Sequence, residues 1–377
     1  MSKRGQNEGS IHKRESDGLW CATLNLGYVN GKRKRKYIYG KTRRDVAEKL
    51  ATALSEQQQG LPVVSEKETV GSFMTRWLED VARPSLRPRT FDSYAMIVNR
   101  HLIPALGKIK LTRLSPQDVQ KYMRQKTESG LSSRTVQYHR AVVRKALNDG
   151  LRWGSVARNV AQLATPPKQS RAQLRFLTPE EARSFLDVVR GHRLEALFAV
   201  ALAIGLRQGE ALGLRWQDVD LETGIVNVRY ALQRTGGSLQ LVELKTRNSL
   251  RSIALPDVTR RALREHRTRQ LEERLTAPYW EDHGFVFAST VGTGIDPRNL
   301  TREFHQLRAA AGMDWLRFHD LRHGCASLLM AQGVNPRVVM EILGHSQISL
   351  TLGTYSHVAP ELAREAAGKM DHILGAG

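Results

Sequence analysis

The stretch FHDLRHGCASLL, at 318–329, places two histidines and an arginine within five residues. His319, Arg322 and His323 are spaced i, i+3 and i+4, so they share one face near the start of a predicted helix. Two kinds of chemistry use such a cluster. The histidines could ligate a metal, or the cationic side chains could hold an anion such as a phosphate. The structural alternative is a helix terminus that carries cations.

Zinc is disfavoured by the residues around this cluster. His319 and His323 are spaced like the two histidines of a zincin, but that motif needs a glutamate directly after the first histidine. Here Asp320 takes that place, and Arg322 between the two histidines would oppose a dication. No further ligand cluster is evident in the sequence, so we expect no bound metal.

A phosphate site needs several cations that converge on one anion. A helix N-terminus adds partial positive charge, and an arginine offers a planar fork that matches two phosphate oxygens. Because one arginine does not suffice for a pentavalent phosphoryl transition state, a partner should exist elsewhere. Arg207, in IGLRQGEALGLRW, follows an apolar helix, and Glu210 can either orient it or cap the next helix. LGHSQISLTLGTYSHV then supplies His345 and Tyr355.

Basic charge is concentrated in the first part of the chain. The 377 residues carry a formal net charge of +21. Residues 1–62 have 13 basic against 6 acidic side chains, residues 63–170 have 19 against 8, and residues 171–377 have 26 against 23. An excess confined to two domain-sized segments indicates nucleic-acid binding, the alternative being a merely soluble basic surface.

Composition excludes several other classes of protein. Apolar residues make up 41% of the chain, enough for buried cores, but no run of 18 apolar residues predicts a membrane span. The polar N-terminus MSKRGQNEGS lacks the apolar region of a secretory signal. Two cysteines, Cys21 and Cys325, exclude a disulfide framework and a four-cysteine zinc site. We therefore expect an intracellular protein that does not bind membranes.

The N-terminal segment predicts a small sheet followed by a helix. GLWCATLNLGYV and KRKRKYIYG are rich in aromatic and β-branched residues, and Asn30-Gly31 between them is a hairpin signal. The second strand interleaves basic side chains with Tyr37 and Tyr39, as a strand that lies in a DNA groove would. The alternative is an edge strand protected from aggregation by its lysines.

Residues 63–170 predict a helical domain. VGSFMTRWLEDVA, RTFDSYAMIVNRHLIPAL, SPQDVQKYMRQKTESG and SSRTVQYHRAVVRKALNDG space their apolar residues three and four apart. Ser115 and Ser132 are candidate helix starts, and Gly130 and Gly150 are candidate helix ends. This pattern predicts four or five helices with basic outer faces.

The last part of the chain mixes helices with three short strands, GIVNVRYAL, LQLVELKT and RSIALP. Linker-like segments, GLPVVSEKETV and ATPPKQSRAQ, separate it from the preceding parts. We therefore predict an α+β multidomain protein with boundaries at 1–62, 63–170 and 171–377. The first domain is a sheet plus a helix, the second is all α, and the third is mainly α with a small antiparallel sheet.

Six residues, in this chain order, resemble the catalytic set of the tyrosine recombinase (phage integrase) family. They stand in GLRQGEAL, LKTRNSLRSIALP, HDLRH, LGHS and GTYSHV, and they are Arg207, Lys245, His319, Arg322, His345 and Tyr355. The resemblance covers nearly all of 174–377. Residues 63–168 are similar to the family's core-binding domain, and residues 9–58 to the arm-type DNA-binding domain of integrases from phages and integrative elements. Each motif alone is weak, but six in order are specific.

The resemblance implies a phosphoryl transfer that fits these residue types. Tyr355 would attack the scissile phosphate and form a 3′-phosphotyrosine, releasing a 5′-hydroxyl. Arg207 and Arg322 would hold the non-bridging oxygens and offset charge that develops in the transition state. Because arginines and a lysine do the work that a metal does elsewhere, the resemblance implies no metal, nucleotide or other cofactor.

The resemblance also assigns roles to the remaining members of the set. In the family, Lys245 would protonate the leaving 5′-oxygen, His319 would assist proton transfer at the tyrosine, and His345 would donate to a phosphate oxygen. Taken singly, each residue has a structural alternative, such as a solvated turn lysine. His323 matches a second histidine of the family motif and is interpreted as structural. Cys325 stands where an apolar aromatic is frequent, and we expect it to face the core.

Double-stranded DNA is the expected partner, at core-type and arm-type attachment sites. The candidate DNA contacts are Lys32, Arg33, Lys34, Arg35 and Lys36 in the N-terminal strand and Arg134, Arg140 and Arg144 in the helical domain. The resemblance implies a homotetramer that integrates and excises a phage or mobile element through a Holliday junction. A host DNA-bending protein and an excisionase are possible partners, in the bacterial cytoplasm at the nucleoid. The alternatives are a catalytically inactive DNA-binding regulator on the same scaffold and an Xer-type resolvase.

Overall fold

A computed structural model of the protein describes most of the chain. The described residues are 10–29, 32–58, 68–169, 175–244 and 249–344, with Met370, His372 and Gly375. The chain divides into two compact units, Met1–Arg171 and Ala172–Gly377. Helices dominate and small antiparallel sheets accompany them, so the predicted α+β class is confirmed. In the described part of the chain, no helix is long and apolar enough to cross a membrane.

The first unit begins with a three-stranded antiparallel sheet and one helix. Its elements are β1 (Ser10–Lys13), β2 (Trp20–Val29), β3 (Lys32–Gly40) and α1 (Arg43–Gln58), with the strands in the order β1-β2-β3. Thr42 caps α1, because its Oγ1 accepts the N–H of Asp45 at 3.2 Å. One face of the sheet packs against α1 through Ala22, Leu24, Ile38, Val46, Leu50 and Ala53. The predicted sheet and helix are therefore present.

The rest of the first unit is helical. Its α-helices are α2 (Val70–Trp77), α3 (Arg83–Ser85), α4 (Pro88–Ile97), α5 (Ile103–Leu106), α6 (Pro116–Glu128), α7 (Ser133–Arg152) and α8 (Val160–Leu163). Ser115 Oγ accepts the N–H of Asp118, and Ser132 Oγ accepts the N–H of Thr135, each at 3.2 Å. The two predicted helix starts are thus correct. Each serine forms its cap with the first turn of the helix that follows it.

Two π-helical turns interrupt this helical region. Leu78–Ala82 joins α2 to α3, and Val98–Leu102 joins α4 to α5. Each turn is closed by a backbone bond to the fifth residue back, from Arg83 to Leu78 and from Ile103 to Val98. The chain stays helical through both turns, so one extra residue is accommodated in each without a break.

One predicted helix end is correct and one is wrong. Gly130, with φ +89°, follows α6 as expected. Gly150 does not end α7, which continues to Arg152. A Cβ at Gly150 would lie 2.9 Å from Cζ of Phe73, a fully buried side chain. The glycine is therefore explained by close packing against another helix, not by a helix terminus.

The second unit contains the remaining helices and two small sheets. Its helices are α9 (Pro179–Val188), α10 (Glu195–Ile204), α11 (Gln208–Leu212), α12 (Asp257–Thr276), α13 (Pro297–Ala310), α14 (Phe318–Ala331) and α15 (Pro336–Leu343). Its strands are β4 (Val219–Asp220), β5 (Ile225–Val228), β6 (Tyr230–Thr235), β7 (Ser238–Glu243) and β8 (Arg251–Ala254). The sheet orders are β4-β5-β8 and β6-β7, all antiparallel. The predicted run GIVNVRYAL divides at Arg229 into β5 and β6, which belong to different sheets.

Helix α10 is the centre of the second unit. It is apolar on nearly all sides, as expected of a helix enclosed by others, and it packs on α12 and α14. Phe198 of α10 lies 5.7 Å from Phe304 and 6.3 Å from Phe318 between ring centroids. This aromatic packing holds the start of α14 against the first turns of α10. The HDLRH motif reaches the end of α10 through Arg322, which donates to the carbonyl of Gly205, two residues before Arg207.

Candidate active site

Three of the six predicted catalytic residues belong to the described residues, and all three lie in the second unit. They are Arg207, His319 and Arg322. The other three lie outside the described residues: Lys245, His345 and Tyr355. The described part of the candidate site therefore consists of the arginines, the first histidine of HDLRH and the side chains that hold them.

Arg207 lies between two helices whose ends fix its position. Gly205 ends α10 in the left-handed conformation, with φ +64°, and a Cβ there would collide with Cδ2 of Leu343. Arg207 then caps α11, where Glu210 Oε2 accepts its backbone N–H at 3.0 Å. Its Nη1 donates to Glu210 Oε1 at 2.6 Å. Glu210 thus both orients Arg207 and caps the helix, the two roles between which the sequence left a choice.

Arg322 is enclosed by the protein and oriented by backbone carbonyls. It lies on α14 and is 1% exposed. Its Nη1 donates to the carbonyl of Gly205 at 2.6 Å, and its Nη2 donates to the carbonyl of Leu343 at 2.5 Å. A buried guanidinium needs such partners, since an unpaired buried charge is costly. Carbonyls carry no formal charge, so they orient this arginine without neutralising it.

Three arginines from three elements meet at the C-terminal end of α15. Their side chains donate to three consecutive carbonyls: Arg251 Nε to Ile342 O at 2.7 Å, Arg322 Nη2 to Leu343 O at 2.5 Å, and Arg207 Nη2 to Gly344 O at 3.2 Å. The last carbonyls of a helix lack partners within the helix, and this end of the helix dipole favours cations. The helix end therefore gathers the two predicted catalytic arginines at one place.

Arg251 is a member of this cluster that the sequence analysis missed. Its side chain is 7% exposed, and its Nη2 donates to Glu210 Oε2 at 2.9 Å. Burial alone would raise the pKa of Glu210, but the charge and hydrogen bond of Arg251, together with Arg207, lower it below its ordinary value. The available signal was an arginine at the start of a short strand, in the same motif as Lys245.

His319 lies at the exposed edge of this cluster. Its ring centroid lies 4.8 Å from that of His323, with the two planes at 82°. Desolvation by neighbouring atoms, followed by the positive fields of His323 and Arg322, lowers the pKa of His319 to about 4. The imidazole is thus neutral near pH 7, where it can exchange a proton with a substrate group. Desolvation also lowers the pKa of half-buried His323.

The metal and thiol alternatives can be compared with this geometry. Within the ranges that the structure describes, no group of three or more His, Cys, Asp or Glu side chains is placed to hold a metal. Cys325 is buried, and its Sγ lies 3.4 Å from the carbonyl of Ala203. Burial raises the pKa of this thiol to about 12, so it stays protonated at neutral pH. The expectation that Cys325 faces the core is confirmed.

The basic residues of the N-terminal sheet lie along β3. Arg35, Tyr37 and Tyr39 are exposed, whereas Ile38 between the tyrosines is buried, as strand alternation requires. The guanidinium of Arg14 lies 5.3 Å from the ring centroid of Tyr39. The other predicted contacts are in the same strand, but their side chains are not described: Lys32, Arg33, Lys34 and Lys36.

The three predicted arginines of α7 differ in their surroundings. Arg134 and Arg144 are exposed. Arg140 is half-buried and donates through Nη2 to the carbonyl of Gln162 at 3.2 Å. Burial, followed by the charge of Arg144, lowers the pKa of Arg140. Arg134 and Arg144 are therefore available to an external anion, while Arg140 also supports the fold.

Comparisons with known proteins concern the chain as a whole. The profile described as Phage integrase family matches residues 175–361, and the profile described as Phage integrase, N-terminal SAM-like domain matches residues 69–126. A XerC-like tyrosine recombinase of Caldanaerobacter subterraneus subsp. tengcongensis is 32% identical over 365 residues, covering 92% of this chain and 93% of the relative. An integrase of Streptomyces ambofaciens is 32% identical over 391 residues, covering 100% and 98%.

Solved structures have the same fold. The Tn1549 transposon integrase, in complex with a circular intermediate DNA, matches with a TM-score of 0.69 at 20% identity, covering 81% of this chain and 100% of that one. A lambda integrase dimer bound to a core site matches with a TM-score of 0.58 at 17% identity, covering 94% and 96%. From these matches, and above all from its near full-length relatives, the chain belongs to the phage integrase family: it is a site-specific tyrosine recombinase, an enzyme that breaks and rejoins DNA.

Proposed function

We propose that this recombinase is the integrase of a temperate phage or a similar mobile element and that Tyr355 is its nucleophile. The observation that carries the proposal is the meeting of Arg207 and Arg322 at adjacent carbonyls of one helix end, with His319 beside them. Two guanidiniums at one place can bind both non-bridging oxygens of a phosphate. A neutral histidine next to them can move a proton.

The cleavage step exchanges one phosphodiester for another. Tyr355 Oη attacks the phosphorus, a P–Oη bond forms, and the bond from phosphorus to the 5′-oxygen breaks. The tyrosine proton passes to His319, and Lys245 gives a proton to the departing 5′-oxygen. The 3′-phosphotyrosine conserves the bond energy. An incoming 5′-hydroxyl therefore reverses the step and joins the new strand without a nucleotide or another cofactor.

Charge stabilisation in this step falls to the arginines and a histidine. Arg207 and Arg322 bind the non-bridging oxygens as negative charge grows on them, and His345 donates a further hydrogen bond. These donors act best when they are aligned before the reaction. The carbonyl partners of Arg322, and Glu210 beside Arg207, support such an alignment in the protein without DNA.

The division of labour along the chain is part of the proposal. Residues 1–62 bind arm-type sites, while residues 63–170 and 171–377 hold the core-type site. The basic excess of the first two segments supports this assignment, as do exposed Arg35 in the sheet and exposed Arg144 in the helical domain. Sequence-independent phosphate contacts of this kind supply much of the affinity of DNA-binding proteins.

Assembly and partners follow the same reasoning. Lambda integrase has been solved as a tetramer bound to a Holliday junction and matches this chain with a TM-score of 0.57. We assign this recombinase a homotetramer that exchanges strands in two steps, in the cytoplasm of a bacterial host at the nucleoid. A host DNA-bending protein and an excisionase would set its direction. The N-terminal sheet favours this assignment over an Xer-type resolvase.

Covalent trapping tests the proposed function. The protein is mixed with nicked duplexes from the DNA that flanks its own gene, in EDTA, and the reaction is stopped with SDS. We expect a slowly migrating protein–DNA adduct with the natural protein and none with Tyr355→Phe. An adduct that persists in Tyr355→Phe would place the nucleophile elsewhere. Tight, specific DNA binding without any adduct would instead support the inactive-regulator alternative.

A further inference from the structure

Arg251 has a position that neither the family resemblance nor the reaction above uses. We propose that Arg251 is a positioning residue for DNA cleavage, which sets the direction of Arg207 through the carboxylate that both arginines share. The inference rests on the proposed function, because it assumes that Arg207 binds the scissile phosphate. It assigns Arg251 no contact with the DNA.

Glu210 connects the two guanidiniums with one oxygen for each side chain. Its Oε1 accepts from Arg207 Nη1 at 2.6 Å, and its Oε2 accepts from Arg251 Nη2 at 2.9 Å. While Arg251 occupies Oε2, the side chain of Arg207 pairs with Oε1 and its second nitrogen donates to the carbonyl of Gly344 at 3.2 Å. The geometry thus keeps the Arg207 guanidinium from a two-point pairing with Glu210, whose Oε2 also accepts the backbone N–H of Arg207 at 3.0 Å.

Loss of Arg251 would change how the Arg207 guanidinium pairs with Glu210. Without the guanidinium of Arg251, Oε2 keeps only the backbone N–H of Arg207 as its partner, and the Arg207 guanidinium can rotate into a bidentate pair with Glu210, which is the stronger arrangement for a guanidinium and a carboxylate. Glu210 is 2% exposed, and a buried carboxylate that has lost one guanidinium is costly. This cost favours a second contact with the guanidinium of Arg207. An arginine held at two points by a buried carboxylate is turned away from a substrate phosphate. Arg251 therefore acts on the reaction through Arg207.

Arg251 is also anchored at both of its other nitrogens. Its Nε donates to Ile342 O at 2.7 Å and its Nη1 to Ser249 O at 3.1 Å. One side chain thus links α11, β8 and the end of α15. A lysine carries the same charge, but its single ammonium group lacks the planar fork that reaches three directions at fixed angles. Arg251→Lys should therefore restore only part of the function.

The experiment compares two substrates that differ in charge at the scissile position. One nicked duplex carries the natural phosphodiester, and the other carries a neutral methylphosphonate. Single-turnover cleavage is measured for the natural protein, Arg251→Gln, Arg251→Lys and Arg207→Ala. We expect Arg251→Gln to slow cleavage of the phosphodiester by about 100-fold and of the methylphosphonate by less than about 10-fold, because a neutral phosphoryl group depends less on a well-aligned arginine. Arg207→Ala should show the same preference more strongly.

A matched control removes an arginine of similar construction elsewhere in the same unit. Arg193 pairs with Glu273 at 2.7 Å and donates to the carbonyl of Ala288 at 2.9 Å. Arg193→Gln should lower the unfolding temperature and leave both cleavage rates within about twofold of the natural values. It therefore measures what the loss of a structural arginine alone does to cleavage.

The outcomes separate the two proposals. Equal losses on both substrates for Arg251→Gln would overturn the positioning role and leave a purely structural one. If Arg251→Gln does not fold, Arg251→Lys is tested in the same way, by the ratio of its losses on the two substrates. Its expected loss on the phosphodiester is smaller. No adduct with the natural protein would count against the proposed function itself. If the natural protein forms the adduct and the Arg251 variants lose equally on both substrates, the result would count against the role of Arg251 alone.

Discussion

Buried polar pairs in the helical part of the first unit contrast with the arginine cluster of the second unit. In the helical part of the first unit, buried polar side chains pair off: Tyr122 Oη lies 2.7 Å from His139 Nδ1, and Trp77 Nε1 donates to Asp149 at 2.7 Å. In the second unit, Arg207 and Arg251 share the single carboxylate of Glu210. The guanidiniums of Arg207, Arg251 and Arg322 also donate to backbone carbonyls. The first arrangement satisfies each polar group locally, whereas the second keeps cationic charge concentrated.

The difference indicates what each arrangement is for. Paired polar groups satisfy hydrogen bonds and make a core specific, and they offer nothing to a ligand. Contacts with uncharged carbonyls orient a guanidinium without neutralising it, at a desolvation cost that a stable core would avoid. An arrangement of that kind is explained most simply by an anion that the protein binds during its reaction. We therefore expect changes in the two units to separate stability from activity.

The largest separation should come from Arg322→Ala. Its removal takes a proposed phosphate ligand from the candidate site and leaves the carbonyls of Gly205 and Leu343 without this donor. We expect cleavage to fall by about 10³-fold or more and the free energy of unfolding to fall by about 2–4 kcal/mol. Single-turnover adduct formation and urea unfolding measure the two effects.

The counterpart in the first unit is Trp77→Phe, which removes the hydrogen bond to Asp149. It should lower the free energy of unfolding by about 1–3 kcal/mol and leave cleavage by the folded protein within a few-fold of normal. A large loss of cleavage in Trp77→Phe, or normal cleavage in Arg322→Ala, would contradict the contrast between the units.

Acid should destabilise the protein through His139. Burial, followed by the charges of His101 and Lys126, lowers the pKa of His139 from 6.5 to about 4. The unfolded chain therefore takes up this proton at a higher pH than the folded protein does. The stabilisation is complete above about pH 6.5 and is lost as the pH falls towards 4, by about 3 kcal/mol. His139→Gln should flatten that part of the stability profile, measured by urea unfolding between pH 7.5 and 4.5.

His319→Gln is a second test of this profile and adds a test of activity. His319 also has a pKa lowered to about 4, and its side chain lies at the exposed edge of the candidate site. Because an equal lowering of the pKa carries the same dependence of stability on pH, this variant should also flatten the profile, and unlike His139→Gln it should lose cleavage activity. Loss of cleavage in folded His139→Gln, or normal cleavage in His319→Gln, would contradict the assignment.

The smallest effect should appear in DNA binding, where two arginines of α7 can be compared. Arg144 is exposed, whereas Arg140 donates to the carbonyl of Gln162. We expect Arg144→Ala to weaken binding a few-fold and to reduce the slope of log K against log salt by about 1. Arg140→Ala should change this slope less and lower stability more. Fluorescence anisotropy across a salt series measures the slopes, and equal slopes for the two variants would contradict the distinction.

Local chemistry explains what the sequence predicted well. Ser115 and Ser132 mark helix starts because a cap depends on the following three residues. Gly130 marks a helix end because the positive φ required just after a helix favours glycine. The prediction at Gly150 is wrong, because the reason for a glycine there is Phe73, a residue on another helix. A contact between distant parts of the chain leaves no local pattern in one sequence.

The candidate site shows the same limit. The order of the motifs led to the correct family, and the spacing of Arg207 and Glu210 predicted their contact. Arg251 could not be found in this way, since its partners lie on α11 and at the end of α15. The contacts of Arg251 depend on how three elements pack together, and no periodic pattern in the sequence predicts that packing.

The two π-helical turns of the first unit have a consequence for how such chains vary in length. Leu78–Ala82 and Val98–Leu102 each close a backbone ring over one residue more than an α-helical turn does. Deleting one residue from either turn would restore α-helical bonding and leave both flanking segments in register with their own neighbours. Alignments of homologous sequences should therefore show single-residue gaps at these two places, without any displacement of the core on either side.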